Sequence, residues 1–362
     1  MSAHWIPIAF LCVTSFISTA LLVPVAHKVK LLDIPHGRKD HAGNIPLVGG
    51  LGIYISVILG CTIFCELNRQ LMGLLALGGL ITVTGLIDDK FDISAKFRLM
   101  VQILASLGLA TGAGLSLQSV GDIIGIGSIQ LGLLAIPVTV LAVAGITNAY
   151  NMTDGIDGLA GSMSLIAILG LLITVYPRAS ESEINLLCFF AVSISVFLIF
   201  NLKCSRKSSK KIFMGDAGSM FLGFVIAGLM IYFTQKGNTQ IKPITALWLI
   251  AVPLIDMVST MIRRVLKKQS PLNADKTHLH HILIKGGLSS RQSLITIIIY
   301  SCLCAIIGIS LSNVPQYIST GVFGLVFFIH LYILRHAYKA SKKVKYLLLI
   351  IGKARRRKIL SY

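Results

Sequence analysis

Long apolar runs recur along the chain and limit its fold more than any other feature. A membrane-spanning helix needs about 20 mostly apolar residues. Runs of this kind occupy residues 5–26, 46–65, 71–87, 99–117, 131–150, 159–176, 185–202, 217–234, 243–262, 292–312 and 315–334. Charged residues make up only 13% of the chain, whereas soluble domains carry about 25%. The sequence therefore predicts an all-α, polytopic integral membrane protein with about eleven transmembrane helices, and it excludes a soluble enzyme.

Basic residues mark one side of the predicted bundle. All lysines and arginines except Arg69, Arg178, Lys236 and Lys242 lie in 27–45, 88–98, 203–216, 263–291 or the tail 335–362. Positive charge beside membrane spans stays in the cytoplasm. We therefore predict a cytoplasmic C-terminus and a periplasmic N-terminus. The Gly-rich segment 118–130 is predicted to be an external loop or hairpin rather than a span.

The net charge of +19 does not indicate a nucleic-acid partner. The basic residues lie between apolar runs and form no patch with interleaved aromatic residues. The basic and apolar tail suits either an interfacial helix on anionic lipid or a simple cytoplasmic anchor. The seven cysteines show no CxxC spacing, which favours buried thiols over metal ligands or disulfides.

Three aspartates stand together in GLIDDKFDISAKFR, residues 85–98. On a helical continuation Asp88 and Asp92 share one face, and Asp89 lies three residues before Asp92. Carboxylates this close repel each other unless a cation lies among them, and Mg²⁺ prefers carboxylate oxygens. A solvated helix end, neutralised by the basic residues of the same segment, explains the cluster equally well.

A second acidic motif is NAYNMTDGIDGLAG, residues 148–161. Asn151, Asp154 and Asp157 recur at intervals of three, and the intervening glycines allow the backbone to approach a ligand closely. A capped turn is the alternative, since Asn, Asp and Gly are common turn residues. The motif contains no basic residue, which favours a ligand site over a turn.

A third motif, FMGDAGSMFLG, occupies residues 213–223. Asp216 is a candidate metal ligand at the start of a predicted helix, where backbone N–H groups also favour phosphate. The alternative is that Asp216 or Ser219 simply caps that helix.

Three histidines, His278, His280 and His281, fall within four residues of the longest predicted cytoplasmic loop. A zinc site would need a fourth ligand, for which Asp275 is available. The basic surroundings, which include Arg263, favour a diphosphate-binding loop instead, with imidazole and guanidinium groups as donors.

The segment HGRKDHAGNIPLVGG, residues 36–50, is basic before Pro46 and Gly-rich after it. Arg38, Lys39 and His41 are placed to meet a lipid phosphate at the membrane surface. An ordinary basic cytoplasmic loop explains them equally well.

Together these motifs predict phosphoryl transfer at the cytoplasmic membrane surface. Metal and cationic donors spread the charge of the transferred group while the acceptor is held in line. One substrate is expected to be a soluble nucleotide and the other a lipid phosphate. A secondary transporter is the rival class, but the acids cluster at one face and Asp256 alone lies deep within a predicted span.

The motifs also occur in a familiar order. They are DDKFD (88–92), NMTDGIDGLAG (151–161), FMGDAGS (213–219) and HLHH (278–281), accompanied by IPLVGG (45–50), TALW (245–248) and SRQ (290–292). The chain resembles the polyprenyl-phosphate N-acetylhexosamine-1-phosphate transferase superfamily, and most closely its N-acetylglucosamine branch. The muramoyl-pentapeptide branch fits less well, because its three consecutive histidines appear here as His-Leu-His-His.

The resemblance implies a bacterial inner-membrane enzyme. Such an enzyme transfers N-acetylglucosamine-1-phosphate from UDP-N-acetylglucosamine to undecaprenyl phosphate, requires Mg²⁺ or Mn²⁺, and begins O-antigen or related glycan synthesis. Another UDP-N-acetylhexosamine or UDP-MurNAc-pentapeptide is the alternative donor. Residues 1–334 would form one transmembrane catalytic domain with its active site at the cytoplasmic face, and 335–362 a basic tail. Membrane lipids would surround it, and a homodimer is left open.

The resemblance also implies roles for individual residues. The expected catalytic residues are Asp88 and Asp89, and the expected metal ligands are Asp89, Asp157 and Asp216. The nucleotide sugar is expected at Asn151, Asp154, Asp157, Arg263, His278, His280 and His281. The lipid phosphate is expected at Arg38, Lys39, His41 and Asp92. Direct attack by the lipid phosphate is favoured over a covalent aspartyl intermediate.

Overall fold

The computed structural model describes residues 5–34, 43–202, 211–235, 241–270 and 278–336. Within these residues the helices are α1 (Trp5–Val29), α2 (Gly49–Phe64), α3 (Arg69–Phe91), α4 (Ala95–Thr111), α5 (Ala135–Thr153), α6 (Leu159–Val175), α7 (Glu181–Asn201), α8 (Gly215–Gln235), α9 (Pro243–Leu249), α10 (Ala251–Leu266), α11 (Leu279–Lys285), α12 (Ser290–Ser310) and α13 (Gln316–Arg335). A 3₁₀ turn at Gly132–Leu134 precedes α5. Two small antiparallel sheets pair β1 (Leu32–Asp33) with β2 (Ile45–Pro46), and β3 (Ser119–Gly121) with β4 (Ile129–Gln130). The second sheet confirms that 118–130 forms a hairpin and not a span.

Seven helices of the described chain are long and apolar enough to cross a membrane, namely α1, α3, α5, α7, α8, α12 and α13. The helices α2 and α6 are apolar but shorter, and α9 and α10 form one bent pair. Every predicted apolar run overlaps one of these helices, α4 or the bent pair. The prediction of a helical, multi-pass membrane protein is therefore confirmed.

The predicted span 243–262 is not one straight helix. It consists of α9 and α10, whose axes meet at 84°. Pro253 lies in the first turn of α10. Proline has no N–H with which to continue the hydrogen bonds of a preceding helix, but it is tolerated in a first turn. This proline is the sequence signal for the break.

The helix that carries Asp216 lies at the centre of the protein. All residues of α8 from Ala217 to Thr234 are buried, and α2, α3 and α5 pack around it. Its first turn meets glycines of two neighbours. A Cβ on Gly50 would lie 2.1 Å from the Cα of Gly218, and a Cβ on Gly85 would lie 2.3 Å from the Cα of Ala217. The backbones of α2 and α3 therefore touch the start of α8.

The Gly-rich half of the segment 36–50 holds the backbone that precedes α8. The Phe213 N–H donates to the Pro46 carbonyl at 2.9 Å, and the Gly49 and Gly50 N–H groups donate to the carbonyls of Phe213 and Met214 at 3.0 and 3.1 Å. These bonds fix the backbone that leads into Asp216. Arg38, Lys39 and His41, from the basic half of the same motif, lie outside the described residues.

Candidate active site

Asp216 is the centre of the polar cluster at the start of α8. Its Oδ1 accepts a hydrogen bond from Asn151 Nδ2 at 2.6 Å, and its Oδ2 lies 3.3 Å from Arg98 Nη1. Asn151 also donates to Ser219 Oγ at 3.0 Å. The structure thus joins the second and third acidic motifs, which are far apart in sequence, through one amide side chain.

Arg98 connects the first motif to the same cluster. Its Nη1 also forms an ion pair with Asp88 Oδ2, so one guanidinium bridges two carboxylates. The other oxygen of Asp88 is buried and has no hydrogen-bond partner. By sequence, Arg98 is one of the basic residues that neutralise the helix end at 85–98. Its position ten residues after Asp88 gave no indication that it also reaches Asp216.

Asp89 has a different set of partners from its neighbour. Its two oxygens accept the backbone N–H groups of Asp216 and Ala217, at 2.8 and 3.2 Å. The first amides of a helix have no partner within that helix, so Asp89 caps α8 from α3. Gly215 adopts a positive φ of 73°, and a Cβ there would lie 2.4 Å from Asp89 Oδ2. The cap on α8 is therefore neither Asp216 nor Ser219.

The loop between α5 and α6 carries the remaining acids of the second motif. Asp157 pairs with Lys211, with 2.6 Å between Oδ2 and Nζ. The Asp154 side chain is exposed on this loop, and the protein around it together with the carboxylates of Asp216 and Asp157 raises the pKa of its carboxyl group. Negative charge is thus concentrated between this loop and the start of α8.

The residues from His278 to His281, here called the histidine segment, lie against the loop between α5 and α6. A Cβ on Gly155 would lie 2.1 Å from His280 Nε2, so this glycine allows the imidazole to pack on the backbone. Burial lowers the pKa of His280 to about 3, and the ring is therefore neutral at pH 7. The His281 ring lies beside it, tilted by 44°, with ring centroids 4.1 Å apart. His278, by contrast, lies 2.9 Å from Asp256 through its Nδ1.

The structure therefore brings together most, though not all, of the predicted residues. Asp88, Asp89, Asn151 and Asp216 form one cluster, with Asp154 beside it, and the histidines adjoin this cluster through Gly155. Arg263 lies in the last turn of α10. Asp92 is exposed and ends α3 in a left-handed conformation with φ 50°. Within the described ranges, no three His, Cys, Asp or Glu side chains are arranged to share one metal ion.

Comparison with known proteins shows the family to which the chain belongs. A model described as glycosyl transferase family 4 matches residues 71–234. The undecaprenyl-phosphate alpha-N-acetylglucosaminyl 1-phosphate transferase of Yersinia pestis is 37% identical over 328 residues, which cover 89% of this chain and 88% of that protein. The chain belongs to glycosyl transferase family 4. Proteins of the same name from Escherichia coli K12 and Haemophilus influenzae are 35% and 34% identical, over 89% and 91% of this chain and 88% and 94% of their own lengths.

The family 4 match runs from α3 to α8. It contains every residue of the polar cluster around Asp216. The histidine segment lies beyond the match, but the aligned lengths of the relatives leave only about a tenth of this chain uncovered.

Proposed function

We propose that this chain transfers N-acetylglucosamine-1-phosphate from UDP-N-acetylglucosamine to undecaprenyl phosphate, which yields undecaprenyl-diphospho-N-acetylglucosamine and UMP. The observation that carries the proposal is the Arg98 guanidinium bridging the carboxylates of Asp88 and Asp216. A cluster of both charges at the ends of apolar helices suits a reaction between a nucleotide diphosphate and a lipid phosphate. The names of the relatives specify this lipid phosphate and this sugar phosphate.

A divalent cation, Mg²⁺ or Mn²⁺, is part of the proposal. Mg²⁺ commonly takes only one or two protein carboxylates and completes its shell with substrate phosphates and water. Asp88 and Asp216 fit this role, because one Asp88 oxygen is buried without a partner and both carboxylates converge on the same guanidinium. The Asp216 oxygens contact the side chains of Asn151 and Arg98, which a cation can displace, whereas both Asp89 oxygens hold backbone amides of α8 and Asp157 is neutralised by Lys211.

The chemistry follows from the charges of the cluster. Bound there, the cation would neutralise charge on the donor diphosphate. The acceptor phosphate has a second pKa of about 6, so it is already a dianion at neutral pH and needs no base. Its oxygen bonds to the β-phosphorus of the donor, while the bond from that phosphorus to the bridging oxygen breaks and UMP leaves. Arg98 donates to the phosphoryl oxygens, and Asn151 holds Asp216 in place.

Direct attack fits the cluster better than an aspartyl-phosphate intermediate. Asp88 is paired with Arg98, and both oxygens of Asp89 are held by the amides of α8. The Arg98 guanidinium lowers the electron density on Asp88, and the amides of α8 occupy both oxygens of Asp89, so each carboxylate is weakened as a nucleophile.

The outer parts of the site would bind the two substrates. The histidine segment and Arg263 would hold the donor diphosphate, with neutral His280 acting through hydrogen bonds rather than charge. Asp154 and Asp157 would adjoin the nucleotide sugar. The lipid phosphate would meet Arg38, Lys39, His41 and Asp92.

The proposal includes an orientation in the membrane. Eleven crossings of a bacterial inner membrane, with the bent pair counted once, place the N-terminus in the periplasm and the C-terminus in the cytoplasm. The polar cluster then faces the cytosolic supply of UDP-sugars. A homodimer is a separate prediction, which the mass of the detergent-solubilised protein checks.

One assay tests the proposed function against its alternatives. Purified protein in vesicles that contain undecaprenyl phosphate receives labelled UDP-N-acetylglucosamine, UDP-N-acetylgalactosamine or UDP-MurNAc-pentapeptide. We expect a chloroform-soluble labelled lipid and UMP with the first donor, loss of both with a chelator, and recovery with Mg²⁺ or Mn²⁺. Preference for another donor would replace the assigned sugar. Label that crosses the membrane without joining lipid would identify a transporter and overturn the proposal.

A further inference from the structure

Asp256 joins four helices behind the histidine segment. It lies in α10 and is buried. Its Oδ2 lies 2.9 Å from His278 Nδ1, and its Oδ1 accepts the Leu279 N–H at the start of α11, also at 2.9 Å. His330 of α13 places its Nε2 3.7 Å from Oδ1 and its Nδ1 3.3 Å from the hydroxyl of Tyr300 in α12. The acid that a transporter would use as an ion site is thus bonded to the histidine segment.

These contacts leave the other nitrogen of His278 unpaired. His278 is 3% exposed, and its Nε2 has no hydrogen-bond partner in the structure described. The same holds for Nε2 of His280, whose ring lies parallel to that of His278 with centroids 6.2 Å apart. Buried polar atoms are rarely left without partners. His280 Nε2 lies against Gly155 of the loop between α5 and α6, and the His278 ring lies next to the His280 ring.

We propose that Asp256 is a positioning residue that acts through His278, an inference that rests on the proposed function. The carboxylate accepts a hydrogen bond from the Nδ1–H group, which fixes the orientation of the ring. The negative charge of the carboxylate also stabilises the imidazolium form. The Nε2–H then donates to the oxygen that leaves with UMP, where negative charge develops as the phosphorus–oxygen bond breaks. The histidine keeps its proton, and the bonds made and broken are those of the proposed transfer.

Replacing Asp256 with asparagine separates this role from a structural one. The amide oxygen still accepts the Leu279 N–H, so the start of α11 keeps its hydrogen bond. The amide NH₂, however, faces His278 Nδ1 as a donor, so that Nδ1 becomes an acceptor, Nε2 takes the single proton and the ring loses its charge. The neutral ring still donates through Nε2–H, but a hydrogen bond from an uncharged donor is about half as strong as one from a charged donor.

The first measurement is steady-state transfer by Asp256→Asn, His278→Ala and the double variant. We expect Asp256→Asn to lower kcat by about tenfold while KM for UDP-N-acetylglucosamine stays within about threefold, because the affected interaction forms in the transition state. The double variant should match His278→Ala alone. Asp122→Asn is the matched control, because its carboxylate bonds only to the Gly125 and Gly127 amides of the hairpin, and it should leave both constants unchanged.

The second measurement does not depend on activity. In ¹⁵N spectra of histidine-labelled protein, the signals lost in His278→Ala identify this ring. We expect both ring nitrogens to be protonated in the wild-type protein and only Nε2 to be protonated in Asp256→Asn. A wild-type His278 that carries a single ring proton would overturn the proposal even if Asp256→Asn failed to fold. An unchanged kcat in Asp256→Asn would overturn it as well. So would a double variant whose loss of kcat equals the product of the losses in the two single variants.

The two measurements also distinguish this proposal from the proposed function. The wild-type protein could make no labelled lipid while His278 loses its Nδ1 proton in Asp256→Asn as expected. This result would support the Asp256–His278 contact and contradict the assigned reaction. If labelled lipid formed but Asp256→Asn transferred at the wild-type rate, the reaction would stand and the positioning role would fall.

Discussion

Asp88 and Asp89 are adjacent in sequence but bond to different partners in the structure. Asp88 pairs with Arg98, whereas Asp89 holds the first amides of α8. The resemblance of the DDKFD motif to the transferase superfamily predicted that this pair belongs to the site. It could not divide their roles, since the partner amides of Asp89 lie 127 and 128 residues further along the chain.

This division predicts different consequences for substitutions in the cluster. Asp89→Ala removes the acceptor of two amides, and a buried donor left without its partner costs about 1–3 kcal/mol. We expect the free energy of unfolding to fall by about 2 kcal/mol or more. Asp216→Asn keeps an acceptor for Asn151, so it should stay folded and lose transfer. Thermal unfolding in detergent and the lipid-transfer assay check both results.

Asp92→Asn is the control for this comparison of stabilities. Its side chain is exposed at the end of α3, so the thermal midpoint should not change. An Asp89→Ala protein with the wild-type midpoint would contradict the capping role.

At the scale of elements, the sequence predicts where helices lie better than how they meet. The apolar runs located the helices because about 20 apolar residues fit a span and little else. The sharp break before α10 was missed, although Pro253 signalled it. The contact of α2 and α3 with the start of α8 was also not predictable, because a glycine in an apolar run does not reveal which backbone it faces.

The contact between α3 and α8 predicts an effect for one added methyl group. In Gly85→Ala the new Cβ would lie 2.3 Å from the Cα of Ala217, so the helices must move apart and carry Asp88 and Asp89 away from Asp216. Misplacement of catalytic groups by about 1 Å can cost about 100-fold in rate. We expect a loss of this order in kcat/KM, measured on purified protein.

The matched control is Gly324→Ala in α13, where a Cβ meets no atom within 4 Å. Alanine is favoured over glycine in a helix by about 0.5–1 kcal/mol, so this variant should be at least as stable as the wild type and fully active. Equal activity of Gly85→Ala and Gly324→Ala would show that the close approach is not needed for the site.

At the scale of the whole molecule, the distribution of basic residues predicts sidedness. Of the 33 lysines and arginines, 29 lie in segments that the sequence predicts to be cytoplasmic. A reporter fused after Tyr362 should therefore report cytoplasm, and a reporter in the 118–130 hairpin should report periplasm. Reversed signals would place the cluster away from cytosolic nucleotide sugars and contradict the proposed reaction.

The central claim is that a sugar phosphate, rather than a sugar alone, is transferred to the lipid. The most direct test supplies UDP-N-acetylglucosamine labelled with ³²P in the β-phosphate and with ³H in the sugar. If the bond to the bridging phosphate oxygen breaks, both labels enter the chloroform-soluble lipid in the ratio of the donor, and UMP is released. Tritium in the lipid without ³²P, accompanied by UDP, would show that the sugar–oxygen bond breaks instead and would contradict this account.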